Sequence, residues 1–347
     1  METVLKESMA AQQRFEIAEA SQIAFARRAI GELARGLGFN ETVAGKLAIV
    51  VTECSTNLLK HAERGELLVR PLEDSGRYGI EVLCIDSGPG IADLYRCFED
   101  GYTTAGSPGN GMGAIKRLSD ELDIWSQPGQ GTVLRTVFWS GEANHAAPAR
   151  VTYGVVNLPL ETETVSGDAW SCHMGENDFT VLVADGLGHG PLANLAAIEA
   201  AKILGTDGDA SLERIMELAN GALRTTRGAA VGIARVPFAS DSAAVAFAGI
   251  GNISASVWSL DTHKHLVSHS GIVGHAARRA QQFATPYPAH ALIVLHSDGL
   301  TSRWDLARYP GLNLRHPSLV AALLYRDFTR GRDDVTVFVA RMGVRAP

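Results

Sequence analysis

Val183-Ala184-Asp185-Gly186-Leu187-Gly188-His189-Gly190 is an apolar run that stops abruptly at an acid followed by closely spaced glycines. Phe179 to Ala184, just ahead of the acid, reads as a buried strand, aliphatic and bounded by polar residues. The pattern recurs at His296-Ser297-Asp298-Gly299, behind the strand-like run Ala291 to Leu295. A carboxylate at the end of a buried strand has a rigid support and faces a loop. That suits a hard divalent cation, which takes oxygen ligands from several strands at once. Glycine after the acid lets the backbone come close and offers its carbonyl as a further ligand. A single Asp-Gly is ordinary turn chemistry. Two of them, together with Ser166-Gly167-Asp168 and Arg332-Asp333-Asp334, form a constellation that turns alone do not explain.

Around this constellation the second half alternates strands and helices. Val151 to Asn157, Trp170 to Met174, Ala229 to Val236, Ala243 to Ala248, Ile253 to Leu260, Ala291 to His296 and Val335 to Arg341 are predicted strands. Pro191 opens an Ala-rich helix to Leu204, and Ser211 caps another to about Thr225. Strand-rich ends with two helices between them predict a layered α+β sandwich. His189 is expected to orient its loop or lie at the surface rather than act as a general acid. His263, His265 and His269 are expected in a solvated loop and hairpin.

The first half opens weakly, with an edge strand or ordered arm in residues 1–15. Ser21 to Leu37 has helical apolar spacing, and Asn40 caps a second helix that runs to about Ala62. Glu53, Asn57 and His61 are four apart and share one face of it, while Val50, Val51, Cys54 and Leu58 occupy a face that can pack on a sheet. Leu67 to Leu72 and Tyr78 to Ile85 predict a hairpin ending in Asp86-Ser87-Gly88-Pro89-Gly90. The Gly-rich stretch Tyr102 to Gly113 opens a helix from Ala114 to Leu118. Such a loop offers free backbone N–H groups to a phosphate. It is neither a dinucleotide fingerprint, since no strand directly precedes it, nor a Walker loop, since no Gly-Lys-Ser/Thr follows. Two further strands, Leu122 to Ser126 and Thr132 to Trp139, flank Pro128-Gly129-Gln130-Gly131.

With 347 residues, 46% of them hydrophobic and 20% charged, the chain can build two domains with proper cores. They are expected at 1–140 and 151–347, joined by the small, polar linker 141–150. A formal net charge of -7 argues against a general nucleic-acid binder. No apolar run is long enough to span a bilayer, and the start lacks a signal-peptide layout, so a cytoplasmic protein without membrane contact is expected. The four cysteines, Cys54, Cys84, Cys97 and Cys172, lack metal-type spacing and are expected to be reduced thiols.

Four motifs of the first half, Glu53-Cys-Ser-Thr-Asn57, Asp86-Ser-Gly-Pro-Gly90, Gly109-Asn-Gly-Met-Gly113 and Gly129-Gln-Gly-Thr132, occur in an order that resembles the GHKL ATPase superfamily. The resemblance covers about residues 15–140 and is strongest to the RsbT-like switch kinases, which act on serine of anti-sigma-factor antagonists. It implies a GHKL (Bergerat) α/β sandwich that binds ATP and Mg²⁺. Asn57 would hold the Mg²⁺ that bridges the ATP phosphates. Asp86 would meet the adenine amino group, Gly88 and Gly90 would shape the pocket floor, Gly109, Gly111 and Gly113 would wrap the phosphates, and Thr132 would support the adenine end. Glu53, one turn before Asn57, would accept the proton of an incoming serine hydroxyl.

The second half, over about residues 151–342, resembles the SpoIIE-type (type 2C) serine/threonine phosphatases, in particular their short RsbX-like members. The carriers are Ser166-Gly-Asp168, Asp185 to Gly190, Arg227-Gly228, Ser297-Asp-Gly299 and Arg332-Asp-Asp-Val-Thr336. This resemblance implies an α-β-β-α sandwich holding two Mn²⁺ or Mg²⁺ ions. Asp185 would be the catalytic bridging ligand, with the Gly186 carbonyl, Asp168, Asp298 and Asp333 completing the shell; Asp334 is the alternative to Asp333. An extra phosphate-binding arginine near the start of the domain, known in larger relatives, has no obvious equivalent here. Together the resemblances imply a partner-switching regulator. It would phosphorylate and dephosphorylate serine on a STAS-domain antagonist and control a sigma factor or downstream switch protein; a homodimer is an open arrangement. Two alternatives remain. In one, the phosphatase is the sole enzyme and the first domain senses ATP; in the other, the first domain binds a sigma factor.

Overall fold

The structure is a computed structural model that describes residues 12–62, 65–74, 76–98, 111–141, 150–238, 244–275 and 280–343. It divides into two compact units, one within Gln12–Ala146 and one within Ala147–Pro347. The expected linker lies almost wholly outside the described residues, as does Gly109.

The first unit runs β1 (Gln13–Glu16), α1 (Ala20–Gly36), α2 (Glu41–His61), β2 (Gly65–Asp74), β3 (Arg77–Asp86), α3 (Gly111–Leu118), β4 (Glu121–Ser126) and β5 (Thr132–Trp139). Its five-stranded sheet has the order β1-β2-β3-β5-β4, and every pairing is antiparallel. At the start of α2 the Asn40 carboxamide oxygen accepts from the Val43 N–H at 2.9 Å, which satisfies one of the helix's open donors. The start of α1 is held by a reciprocal cap between Glu19 and Gln22, a signal the sequence reading passed over. Val50, Val51, Cys54 and Leu58 of α2 are buried against Leu67, Val69, Ile80, Val82 and Cys84 of β2 and β3. Each such side chain contributes roughly 1.5–3 kcal/mol by leaving water. That packing fixes the rotation of α2 and turns Glu53 and Asn57 away from the sheet core.

The second unit runs β6 (Val151–Leu158), β7 (Asp168–Met174), β8 (Asp178–Gly186), α4 (Pro191–Asp207), α5 (Leu212–Ala222), β9 (Ala229–Pro237), β10 (Ala244–Ile250), β11 (Ser254–Trp258), β12 (His263–Leu266), β13 (Phe283–Pro286), β14 (Leu292–His296), α6 (Pro317–Phe328) and β15 (Val335–Met342). Two antiparallel sheets form, ordered β13-β10-β9-β8-β7 and β12-β11-β14-β15-β6. Phe179, Val181, Val183 and Phe247 of the first meet Ile293, Leu295, Phe338 and Ala340 of the second in one core. On the far side of the first sheet, Ala197, Ala200, Leu204, Ile215 and Ala219 of α4 and α5 cover Leu182, Ala184 and Ile233. Helix α6 covers β6 and β15 on the far side of the second. The expected α-β-β-α layering is present.

Several elements differ from expectation, among them the unforeseen short strand β13. The sequence predicted two helices, but α6 is a third. It is apolar all round and buried from Pro317 to Tyr325, so it carries no amphipathic period to read. Strand β8 continues through Asp185 to Gly186, so the acid belongs to the strand rather than to the loop after it. The expected hairpin is present as β12 paired with β11, and His265 is exposed, but the Nε2 atoms of His263 and His269 are buried without a hydrogen-bond partner rather than solvated. The thiols of Cys54, Cys84, Cys97 and Cys172 are all free. Among the described residues no helix is long and apolar enough to cross a membrane.

Candidate active sites

In the second unit the acids gather where both sheets end. β7 and β8 are paired so that Asp168 stands directly opposite Asp185. Like charges directly across an antiparallel pair destabilise a sheet, so this placement has no structural benefit. Asp168 is buried, with 3% exposure. Its Oδ2 accepts from the Ser297 hydroxyl at 2.6 Å, and the same Ser297 Oγ accepts from the Thr336 N–H at 2.9 Å. The Thr336 hydroxyl takes a 2.7 Å bond from the Asn157 amide. One serine thus ties an acid of the first sheet to the end of β14 and to β15 in the second. Asp298 follows Ser297 and accepts from the Asn252 amide at 2.8 Å.

Electrostatics report the convergence. Burial, then the charges of Asp168, Asp298, Asp333 and Asp334, push the Asp185 carboxyl up to about 9. Burial pushes Asp168 up to about 7, with the charges of Asp334 and Asp333 adding and the Ser297 bond opposing. Asp333 is raised by burial and by Asp298, and Asp334 by burial. These are acids in want of positive charge. Among the described residues no three such side chains are already drawn into a closed coordination cluster. The donor set is all oxygen, which fits hard divalent cations. Asp334 has one oxygen on the Leu160 N–H at 2.9 Å and is buried behind Gly167, whereas the Asp333 carboxyl is raised by the charge of Asp298. The Gly186 backbone lies against Ala193 so closely that a Cβ there would collide with its carbonyl.

His189 is held by its side chain: Nδ1 lies 2.6 Å from Glu163 Oε1. His189 is exposed, in keeping with the expected surface position, and its partner is a side chain rather than the backbone. Glu163, Asn157 and Asn252 are site neighbours that nothing in their local sequence marks, whereas Thr336 already stands in the Arg332 to Thr336 motif. Ser297 sat in plain view beside Asp298, and only the pairing of two sheets gives it a partner.

In the first unit Glu53 and Asn57 point toward the start of α3. A Cβ built on Gly111 would lie 2.8 Å from Glu53 Oε2 and 3.9 Å from Asn57 Oδ1, so both side chains reach the helix's first residue. Asn57 Nδ2 also donates to Met112 Sδ at 3.7 Å. At the other end of the site Asp86 closes β3. Its Oδ1 accepts the N–H groups of Gly88 at 2.8 Å and Thr132 at 3.1 Å, which pins the carboxylate between two strands. The Thr132 hydroxyl lies 2.9 Å from Ser126 Oγ, which itself accepts from the Ile91 N–H. Gly90 has φ of 71° and packs on the Gln127 carbonyl, where a side chain would collide. Gly113 is buried in α3. His61, on the same helical stripe, is exposed. The structure therefore brings Glu53, Asn57 and Gly111 together at one place and Asp86, Gly88 and Thr132 at another, both lined by backbone brought close by glycine.

The family described as histidine kinase-like ATPase domain matches residues 17–138, and the family described as stage II sporulation protein E (SpoIIE) matches residues 175–343. The serine/threonine-protein kinase RsbT of Bacillus subtilis (strain 168) is 32% identical over 117 residues, which are 34% of this chain and 88% of RsbT. The phosphoserine phosphatase RsbX of the same organism is 24% identical over 147 residues, which are 42% of this chain and 73% of RsbX. A crystal structure of RsbX in complex with magnesium shares the fold, with a TM-score of 0.51 at 20% sequence identity over 57% of this chain and 98% of that one.

Proposed function

The chain belongs to the histidine kinase-like ATPase family of RsbT through its first unit and carries a SpoIIE-type serine/threonine phosphatase domain in its second, and on these grounds we propose a bifunctional partner-switching regulator that adds and removes phosphate on serine of a STAS-domain antagonist protein, controlling a sigma factor or similar output. The observation that carries the proposal is that one chain holds two unlike polar constellations: an opposed acid pair, Asp168 and Asp185, and a Glu53–Asn57 pair beside the first residue of a helix. The three leucines Leu187, Leu192 and Leu195, exposed beside the acid loop, favour a protein over a small molecule as the phosphate carrier.

In the first unit, Asp86, Gly88, Gly90 and Thr132 would hold the adenine of ATP, and Gly109, Gly111 and Gly113 its phosphates, with Asn57 on Mg²⁺. Bound Mg-ATP supplies the phosphoryl group to be transferred. Glu53 Oε2 would take the proton from a serine hydroxyl, and Gly111 leaves that oxygen room because it has no Cβ. In the second unit, Asp168, Asp185, the Gly186 carbonyl, Asp298 and Asp333 would hold two Mn²⁺ or Mg²⁺ ions. Divalent ions there supply an activated water and offset the charge of the phosphate. Ser297 keeps one Asp168 oxygen oriented, and the Asp334 bond to Leu160 holds the backbone that presents Asp333.

The deciding experiment is phosphate transfer from radiolabelled ATP to a STAS-domain protein, with the wild-type chain and with Asp185→Asn. Label retained with the variant and removed by wild type is expected. No label with either, while phosphorylated STAS protein is still hydrolysed, would leave the phosphatase as the sole activity and the first unit as an ATP-sensing module.

A further inference from the structure

The second unit has acids for cations, but the metal constellation assigns no side chain to the phosphate itself. The motif Arg227-Gly228 has no role in it either. The ladder between β8 and β9 pairs Gly186 with Ala229, and it extends one bond further, from the Leu187 N–H to the Gly228 carbonyl at 3.0 Å. That extension sets Arg227 alongside Gly188. Arg227 Nη1 lies 3.0 Å from the point where a Cβ on Gly188 would stand, and Gly188 has φ of 90°. Glycine at 188 allows the positive-φ backbone turn, and the guanidinium lies over it.

The turn that carries Arg227 is fixed from both sides. The Gly228 N–H donates to the Thr226 hydroxyl at 3.0 Å, and the Thr226 carbonyl lies 3.0 Å from His275 Nε2. The guanidinium itself is exposed and makes no hydrogen bond or ion pair with the described residues. A rigidly based, unspent guanidinium beside an acid loop is a ready fork for phosphoryl oxygens. Other basic residues stand near the site: Arg330, whose charge acts on Asp333 and His296, and the exposed Arg332 beside Asp333. On the opposite flank the Glu163 carboxylate lies against Gly190 and His189, a place unsuited to an anion.

We propose that Arg227 is the phosphate-capturing residue of the second unit, binding the non-bridging oxygens of a phosphomonoester over Gly188. This rests on the phosphatase reading of that unit.

The test uses the full chain with Mn²⁺, p-nitrophenyl phosphate as substrate and inorganic phosphate as competitive inhibitor. Arg227→Ala is expected to raise both KM and the phosphate inhibition constant by about ten- to a hundredfold. Arg227→Lys recovers part of the loss, because it restores charge without the fork. The Mn²⁺ midpoint, read by thermal shift, stays at the wild-type value and reports a folded, metal-competent variant. A folded Arg227→Ala with wild-type KM and inhibition constant overturns the proposal, as does a loss that follows Arg330→Ala instead. A wild-type chain that hydrolyses no phosphate ester under these conditions overturns the phosphatase reading and this proposal with it.

Discussion

Asp185 is held in a place where a lone carboxylate is unwelcome: it faces Asp168 across paired strands, at the end of a buried core. The pH dependence follows from that. Asp185 is pushed to about 9 and Asp168 to about 7, against 3.8 for an ordinary aspartate. The folded chain then binds these protons more tightly than the unfolded one. In chelator, the stability these two protons contribute should be complete below about pH 4 and fall as pH rises through this window, levelling above about 9, with buried His296, lowered to about 4, offsetting part of it on the acid side. Melting temperature against pH measures it, and Asp185→Asn should flatten the fall while abolishing phosphate-ester hydrolysis. Added Mn²⁺ should flatten it too, by supplying the missing positive charge. Glu53 sets the corresponding expectation in the first unit. Glu53→Gln keeps the shape and loses the base, so phosphoryl transfer should drop by about 10²–10⁴-fold with ATP affinity nearly unchanged. An equal loss of ATP affinity, by equilibrium binding, would instead mark Glu53 as a nucleotide contact.

At the scale of elements, the second site depends on strands of different sheets staying in register. Ser297 is the joint: it gives its proton to Asp168 and accepts from the Thr336 N–H. Ser297→Ala should weaken Mn²⁺ binding by about 10–100-fold, the usual cost of losing a group that orients a metal ligand. Metal titration followed by fluorescence or thermal shift reads this without relying on turnover. Ser297→Thr, which keeps the hydroxyl, should lose much less. Elsewhere the Asn40 cap is a simpler unit, one side-chain oxygen on one N–H. Asn40→Ala should lower the stability of the first unit by about 1 kcal/mol, measured by denaturant unfolding.

For the whole molecule, the expectation is that each unit keeps its own chemistry. Asn57→Ala should remove Mg-ATP binding and leave Mn²⁺ binding and ester hydrolysis in place. Asp185→Asn should do the reverse. A folded variant of either kind that silenced both activities would contradict two separate sites. Paired assays of nucleotide binding and hydrolysis on each variant decide it.

The local chemistry of the chain was readable before folding. Acid-glycine steps after buried runs, the four-residue spacing of Glu53 and Asn57 and the glycine-rich stretch ahead of α3 stand out within a few residues, because carboxylate, close backbone and helix period are short-range properties. Apolar alternation likewise gave most strands of both units to within a residue or two. What the chain could not tell in advance is who faces whom. Helix α6 has no polar face, so its period is invisible until a sheet covers one side of it. Asp168 meets Asp185 through strand register, Ser297 meets Asp168 from a position 129 residues away, and Arg227 meets Gly188 through one hydrogen bond beyond a ladder. Such partnerships are set by how two sheets pair and stack, and no window of sequence contains both members.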